Sequence, residues 1–290
     1  MTGGITMAGR RDWAKAKAGL AASILALVVL AGCGGFDPRQ EGALDAYTAE
    51  EIFKRGEVEL ANGQADDAAY YFGEIERLYP YSEWAKRGLI MQAFAYHRDR
   101  DYPNSRASAQ RYIDFYPTDV DAAYAQYLLA LSYYDQIDEI GRDQGLTFQA
   151  LQALRVVIEQ YPDSEYAAPA ILKFDLAFDH LAAKEMEIGR YYLRGNHFTA
   201  AINRFRVVVE DFQTTSHTAE ALYRLVEAYL ALGLTNEAQS AAAILGYNFQ
   251  STVWYSDAYS LLTGQGLRAE VAGDNWLSAI YRQVVLGEWI

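Results

Sequence analysis

Apolar positions in this chain fall on two helical faces in succession, and the order then repeats. Its clearest form is Ile188 to Phe205, I-G-R-Y-Y-L-R-G-N-H-F-T-A-A-I-N-R-F. Gly189 and Tyr192 share a face of one helix, the polar Arg194-Gly195-Asn196 interrupts it, and Ala201 and Phe205 share a face of the next. A small residue on one helix admits a ring from the other, so the pair packs closely.

The same order slides along the chain. The small position of the first helix falls on Gly56, Ala93, Ala130, Gly189 and Val226, followed three residues later by Glu59, Tyr96, Tyr133, Tyr192 and Tyr229. The second helix carries Ala68, Ser105, Ala150, Ala201 and Ala238, then Phe72, Ala109, Leu154, Phe205 and Ala242, then Ile75, Tyr112, Val157, Val208 and Leu245. Glu59 to Tyr96, Tyr96 to Tyr133 and Tyr192 to Tyr229 are each 37 apart. Two breaks are local. Ser105 to Ala150 is 45, which inserts eight residues within Gln136 to Leu146, and Ala150 to Ala201 is 51, which adds 14 in or before the next first helix.

A period of 37 is a tetratricopeptide repeat of about 34 residues with a slightly longer connection. One helix pair cannot bury its own apolar face, so the units must stack. The pattern predicts an all-α solenoid of five helix pairs. Thr252 to Thr263 reads as an unpartnered sixth first helix that caps it.

Local chemistry places the helix ends. Pro80, Pro117 and Pro162, each after a tyrosine, stop the second helices, with Gln213 and Gln250 at that place in the later copies. Ser82, Asp119 and Ser164 follow as expected N-caps, and Gly63 and Gly233 sit in intra-repeat turns that need a left-handed residue. Ser164 to Arg194 holds one breaker, Pro169, near its start, and predicts one long helix or two bent near Asp179-His180. After Gly264-Gln265-Gly266, Trp276, Leu277, Ile280, Tyr281, Val284 and Val285 share a helical face, with Trp289 beyond. That tail is free to dock on a partner, touch a membrane interface or fold back on the last repeat.

The beginning of the chain is a different kind of segment. Arg10, Arg11, Lys15 and Lys17 precede the uncharged run Leu20 to Leu30, which leads into Leu30-Ala31-Gly32-Cys33. A basic front, a short apolar run and small residues before the cut mark a secretory signal. The last four residues match the bacterial lipobox, and Cys33 is the only cysteine, so lipidation of Cys33 is expected. Gly34 and Gly35 in place of an aspartate favour the outer membrane. The organisation expected is therefore a signal at 1–32, a lipidated tether at 33–46, repeats one to three at 47–163, repeats four and five with the cap at 164–263, and an amphipathic tail at 264–290.

Charge and composition narrow the chemistry. The formal net charge is −13, and removing 1–32 takes away four basic groups and Asp12, leaving −13 − 3 = −16. Phosphate binding needs a basic face, so nucleic acid is an unlikely partner. A lone cysteine excludes an intrachain disulfide. His97, His180, His197 and His217 lack ligand spacing, and neither a phosphate loop nor a nucleophile–base set is present, so no metal, no cofactor and no enzymatic activity are expected. Tyr124, Tyr127 and Tyr134 are expected as exposed aromatics lining the concave face, where arrays of this type bind extended peptides.

Several segments together resemble the outer-membrane assembly lipoproteins of the BamD family. They are the lipobox, F-K-R-G at Phe53–Gly56, A-A-Y-Y-F at Ala68–Phe72, E-R-L-Y-P at Glu76–Pro80, Y-P-D-S-E-Y-A at Tyr161–Ala167 and K-E-M-E-I-G-R-Y-Y at Lys184–Tyr192. The resemblance runs from about Cys33 to Leu262. It implies a non-enzymatic scaffold of the β-barrel assembly machinery, lipid-anchored on the periplasmic face of the outer membrane. Its implied partners are the barrel insertase BamA through its periplasmic domains, other small lipoproteins of the complex, and unfolded barrel precursors. The first three repeats would face precursor; the fourth and fifth would face the insertase, with Arg204, then Arg194 and Arg206, as basic contacts. The short insert and the tail depart from the family pattern. The competing readings are a repeat lipoprotein acting as a secretin pilot or as a cell-wall synthesis regulator. A wall-lytic enzyme has little chain left for a catalytic domain after Thr263.

Overall fold

The computed structural model describes residues 44–287, without the Val284 side chain; the leader, Cys33 and Trp289 lie outside them. Contacts divide the chain into Met1–Thr48 and Ala49–Ile290. The described part of the first is a 3-10 turn at Leu44–Ala46. The second is helical, with no strand among the described residues. Its helices are α1 Ala49–Ala61, α2 Ala65–Leu78, α3 Glu83–Arg98, α4 Tyr102–Phe115, α5 Ala122–Tyr134 and α6 Gly145–Gln160, then α7 Ala167–Arg194, α8 Phe198–Asp211, α9 Thr218–Ala231, α10 Thr235–Asn248, α11 Val253–Gly264 and α12 Trp276–Val285. Each of α1 to α10 packs on the next, α1 meets α3, α3 meets α5, α5 meets α7 and α9 meets α11, and α12 packs on α10. This is the expected array of five pairs, α1/α2 to α9/α10, with α11 as the sixth first helix.

The core lies where the repeating positions put it. Ala68, Phe72 and Ile75 and their counterparts in the other four second helices are all at 0% exposure. Facing them, Gly56 lies so close to Phe72, and Gly189 to Phe205, that an added Cβ would sit 2.7 and 2.4 Å from a ring carbon. Elsewhere the volumes trade: Ala130 shares its cluster with Leu154, and Val226 with Ala242. Ser105 fits an alanine site because its hydroxyl donates to the Ala93 carbonyl at 2.9 Å.

The turns within repeats share one geometry. The residues before α2, α4, α8 and α10 donate N–H to Glu59, Tyr96, Tyr192 and Tyr229 carbonyls, each at 2.9 Å. A left-handed residue precedes each donor: Gly63, Arg100, Asn196 and Gly233, at φ 84°, 65°, 59° and 74°. These are Schellman closures, which satisfy carbonyls orphaned at a helix end. Gly266 (φ 75°) ends α11 in the same way, with Leu267 donating to the Leu262 carbonyl at 2.9 Å.

The turns between repeats correct two expected caps. Ser82 does cap α3, accepting from the Ala85 N–H at 3.1 Å. Ser164 does not cap α7, which starts three residues later with no side-chain cap bond. Its hydroxyl donates instead to the Tyr161 carbonyl at 2.8 Å, as Ser82, Thr215 and Thr252 donate to the aromatic three residues before them. Asp119 cannot donate when ionised and does not cap α5. It accepts from Lys86 Nζ at 2.7 Å and from the buried Tyr112 hydroxyl at 2.7 Å. These two bonds, and one from the Asp121 N–H, hold its carboxyl at about 2.

The insertion forms the connection 135–144, while α7 runs 28 residues without the alternative break at Asp179-His180. Its first half packs on α6 through Ala177 and Leu181 against Leu151. Its second half pairs with α8.

Two predictions follow from this packing. Gly189→Ala gains helix propensity worth about 1 kcal/mol but drives a methyl into a fully buried ring, costing ~1–3 kcal/mol. Urea denaturation is expected to show net destabilisation, with stability recovered when Phe205→Leu is added. Asp119, held below its unfolded value, contributes stability that is full above about pH 4 and lost as pH falls through about 2. Asp119→Asn therefore lowers the melting temperature at neutral pH and flattens that acid limb.

Candidate functional site

Tyr124, Tyr127 and Tyr134 all lie on α5, and the structure corrects their expected exposure: all three are half-buried. Tyr124 and Tyr127 pack on Tyr166, with centroids 5.2 and 5.5 Å away and tilts of 34° and 29°. Burial pushes the Tyr124 hydroxyl up to about 12. Tyr134 lies under Lys173, whose Nζ is 4.6 Å from the ring centre. These rings join the third repeat to the start of α7. A cleft in the first repeats lies elsewhere: an open groove of about 480 Å³ between α2, α3 and α4, lined by Tyr70, Glu74, Gln92, Tyr96 and Arg111. Gln92 is positioned there by its bonds to the Ala69 carbonyl and the Ser108 hydroxyl. Its position off the repeating apolar face left it without a sequence signal.

The three candidate arginines do not form one cluster. Arg204 on α8 reaches back to α7, its Nη1 donating to Glu185 Oε2 at 3.0 Å, and its side chain stays 44% exposed. Arg206, two residues on, points forward: it bonds Glu210 at 2.8 Å and lies 4.8 Å from the Trp276 ring centre. Arg194 is exposed in the last turn of α7.

Between α7 and α9 sits a stronger electrostatic feature. Glu220, 9% exposed, takes a fork from Arg190, Nε at 2.9 Å and Nη2 at 2.5 Å, and a further bond from Arg224 at 3.3 Å. Burial alone would raise the Glu220 carboxyl, but the two arginines outweigh it and hold it below its ordinary value. Arg224 continues to Glu227 at 2.7 Å and lies over Tyr223 and Trp254, which extends the chain of contacts to α11. Sequence spacing offered no hint of Arg190 with Glu220, 30 residues apart.

The tail, of the three dispositions open to it, folds back. Gln239 donates to the Arg268 carbonyl at 2.9 Å, and Ser240 bonds both the carbonyl and the N–H of Ala272 at 3.1 Å. Asn275 and Ser278 form a capping box that starts α12. Trp276 Nε1 donates to the Tyr229 hydroxyl at 3.0 Å, and Leu277 and Ile280 are buried in the core of the last two repeats. Arg206 is therefore covered on one side by the tail.

The described residues contain no cluster of three or more His, Cys, Asp or Glu able to hold a metal, and no helix long and apolar enough to cross a membrane. Comparison with known proteins identifies the fold's relatives. The YfiO family model, described as "Outer membrane lipoprotein", matches residues 45–244. The chain belongs to this family. It is 46% identical over 250 residues to the outer membrane protein assembly factor BamD of Caulobacter vibrioides, across 86% of this chain and 82% of that one. It is 39% identical over 243 residues to the BamD of Rickettsia prowazekii, across 84% and 96%. A putative kinesin light chain of TPR-like repeats covers 73% of this chain and is itself covered completely, at 15% identity and a TM-score of 0.33. The family match spans all five helix pairs apart from the last turn of α10, and excludes α11 and α12.

Replacing Trp276 by Ala removes its bond to Tyr229 and its contact with Arg206. Hydrogen exchange is expected to show faster opening of 267–287 with α1 to α6 unchanged, because those contacts are local to the last two repeats.

Proposed function

We propose that this BamD-family chain is a scaffold of outer-membrane protein assembly, working by binding rather than catalysis. The single observation that supports it most is the identity to named assembly factors along more than four-fifths of the chain. The alternative roles, secretin pilot or cell-wall synthesis regulator, have no such support. Within that reading, lipidation at Cys33 tethers the array to the periplasmic face of the outer membrane, since acyl chains contribute about 0.8 kcal/mol per buried methylene.

The second surface of the array, at α7 and α8, is the part proposed to meet the barrel insertase. Arg204 is the favoured contact: its guanidinium is oriented by Glu185 yet remains partly open. An oriented, exposed guanidinium in an acidic protein is a ready partner for an acidic surface. Arg206 is a weaker candidate because Glu210 and Trp276 occupy it. Extended precursor segments are proposed to bind along the first three repeats, and other small lipoproteins of the complex to join the same assembly.

Mild detergent extraction of the tagged wild-type chain is expected to recover a protein with a barrel and periplasmic domains. Arg204→Ala should cut that recovery by at least about tenfold while moving the melting temperature little, since the Arg204–Glu185 pair is partly exposed. Depletion of the chain should lower barrel proteins in general. Loss of only one secretion system, or a septation defect with barrel proteins intact, would sink the proposal.

A further inference from the structure

We propose that the groove between the 135–144 connection, α7 and the start of α9 is a docking site for an arginine side chain of a partner protein. The groove is open, holds about 640 Å³ and lies where the third, fourth and fifth repeats meet. Glu139 and Ile140 line it from the connection, His180, Ala183 and Glu187 from α7, and His217 from the residue before α9. The α7 residues follow at helical spacing and form one wall. The connection is the insertion in the third repeat, so a repeat of ordinary length has no such second wall.

Hydrogen bonds around the groove leave it with acceptors. Gln144, 7% exposed, gives its amide nitrogen to the Ile140 and Arg142 carbonyls at 3.2 and 3.1 Å, and its oxygen takes the Thr147 hydroxyl at 3.0 Å. That oxygen also meets His180 Nδ1 at 3.1 Å, and since a carbonyl oxygen only accepts, Nδ1 carries the hydrogen between them. Nε2 of the neutral ring is left as an acceptor. His217 sets its Nε2 against the Asp179 carboxylate at 3.3 Å, which leaves Nδ1 of its neutral ring in the same state.

Charge agrees with this. Glu139 and Glu187 are exposed and make no side-chain hydrogen bond or ion pair with the described residues. The cations nearby are engaged: Arg190 in its fork to Glu220, Lys184 with the Arg142 carbonyl, and Arg142 with Asp138 at 3.3 Å. The groove therefore offers two carboxylates, two accepting ring nitrogens and the apolar Ile140 and Ala183. A guanidinium matches each of these: it only donates, it is always charged, its plane stacks on rings, and its stem covers apolar surface. An acidic group would be repelled. An apolar one would strip water from two carboxylates and replace it with nothing.

The proposal rests on the reading of this chain as a binding scaffold. It is additional to the Arg204 contact, because Glu187 lies two residues from Glu185, the partner of Arg204, and so on another face of α7.

The test uses full-length, lipidated protein in detergent, carrying isotope-labelled histidine. The probe is N-acetyl-arginine methylamide, and the control is the isosteric, uncharged N-acetyl-citrulline methylamide at matched ionic strength. Ring resonances of His180 and His217, assigned with His180→Asn and His217→Asn, are expected to shift saturably with the arginine probe while His197 stays still. The citrulline probe, and the arginine probe on Glu139→Gln/Glu187→Gln, should bind at least about threefold more weakly. Glu187→Lys, which lays a cation in the groove, should abolish the response. Equal shifts from the two probes overturn the proposal, as does an arginine response that survives Glu187→Lys or moves His197 equally. If the arginine probe binds as expected while depletion of the chain leaves barrel proteins intact, the site stands and the scaffold reading falls.

Discussion

The structure depends on how closely two helices of a pair can approach. Gly189 lets the Phe205 ring lie against the α7 backbone, and Gly56 does the same for Phe72 on α1. Interiors are packed as tightly as organic crystals, so a ring of this size is accepted only where the facing position gives up its side chain. The other copies solve the same volume problem with Ala against Leu or Val against Ala. This is why the period survives where individual residue types do not. What repeats is a sum of volumes across an interface.

Much of the fold was legible for that reason. Positions spaced along the chain by 37 reappear as the fully buried row of each second helix, and the two breaks in spacing reappear as the 135–144 connection and the extended α7. Backbone geometry was less legible. Arg100 and Asn196 take the left-handed conformation that Gly63 and Gly233 advertise, and nothing in an arginine announces it. Asp119 looks like a cap in the sequence because a carboxylate shortly before a helix has two outlets, a cap or a cation, and Lys86 lies 33 residues away. Thr215 and Thr252 preserve the hydroxyl-to-carbonyl bond in copies that have lost their proline, a signal visible once that bond is known.

The functional surfaces were less legible than the fold, since sequence places a residue on a helix face but not against its distant partner. Tyr124 and Tyr127 are committed to Tyr166 and belong to the joint between repeats. Arg204 and Arg206, close in sequence, serve opposite neighbours, because two residues on a helix are turned well away from each other. The Arg190–Glu220–Arg224 chain makes the α7–α9 contact electrostatic. A buried pair of this kind costs desolvation, and the fork geometry with a second arginine offsets that cost.

α7 carries a mechanical consequence. Its 28 residues make a rod of about 42 Å, free of proline beyond the third position, that belongs to the third repeat at one end and the fourth at the other. Array proteins ordinarily flex by small rotations at every interface between units. Here that joint is bridged by a single continuous helix, anchored midway where Asp179 accepts from the Ser216 N–H at 3.0 Å and its hydroxyl at 2.8 Å. The α5–α6 end and the surface around Arg204 therefore share one unbroken stretch of helical backbone, as two floors share a column.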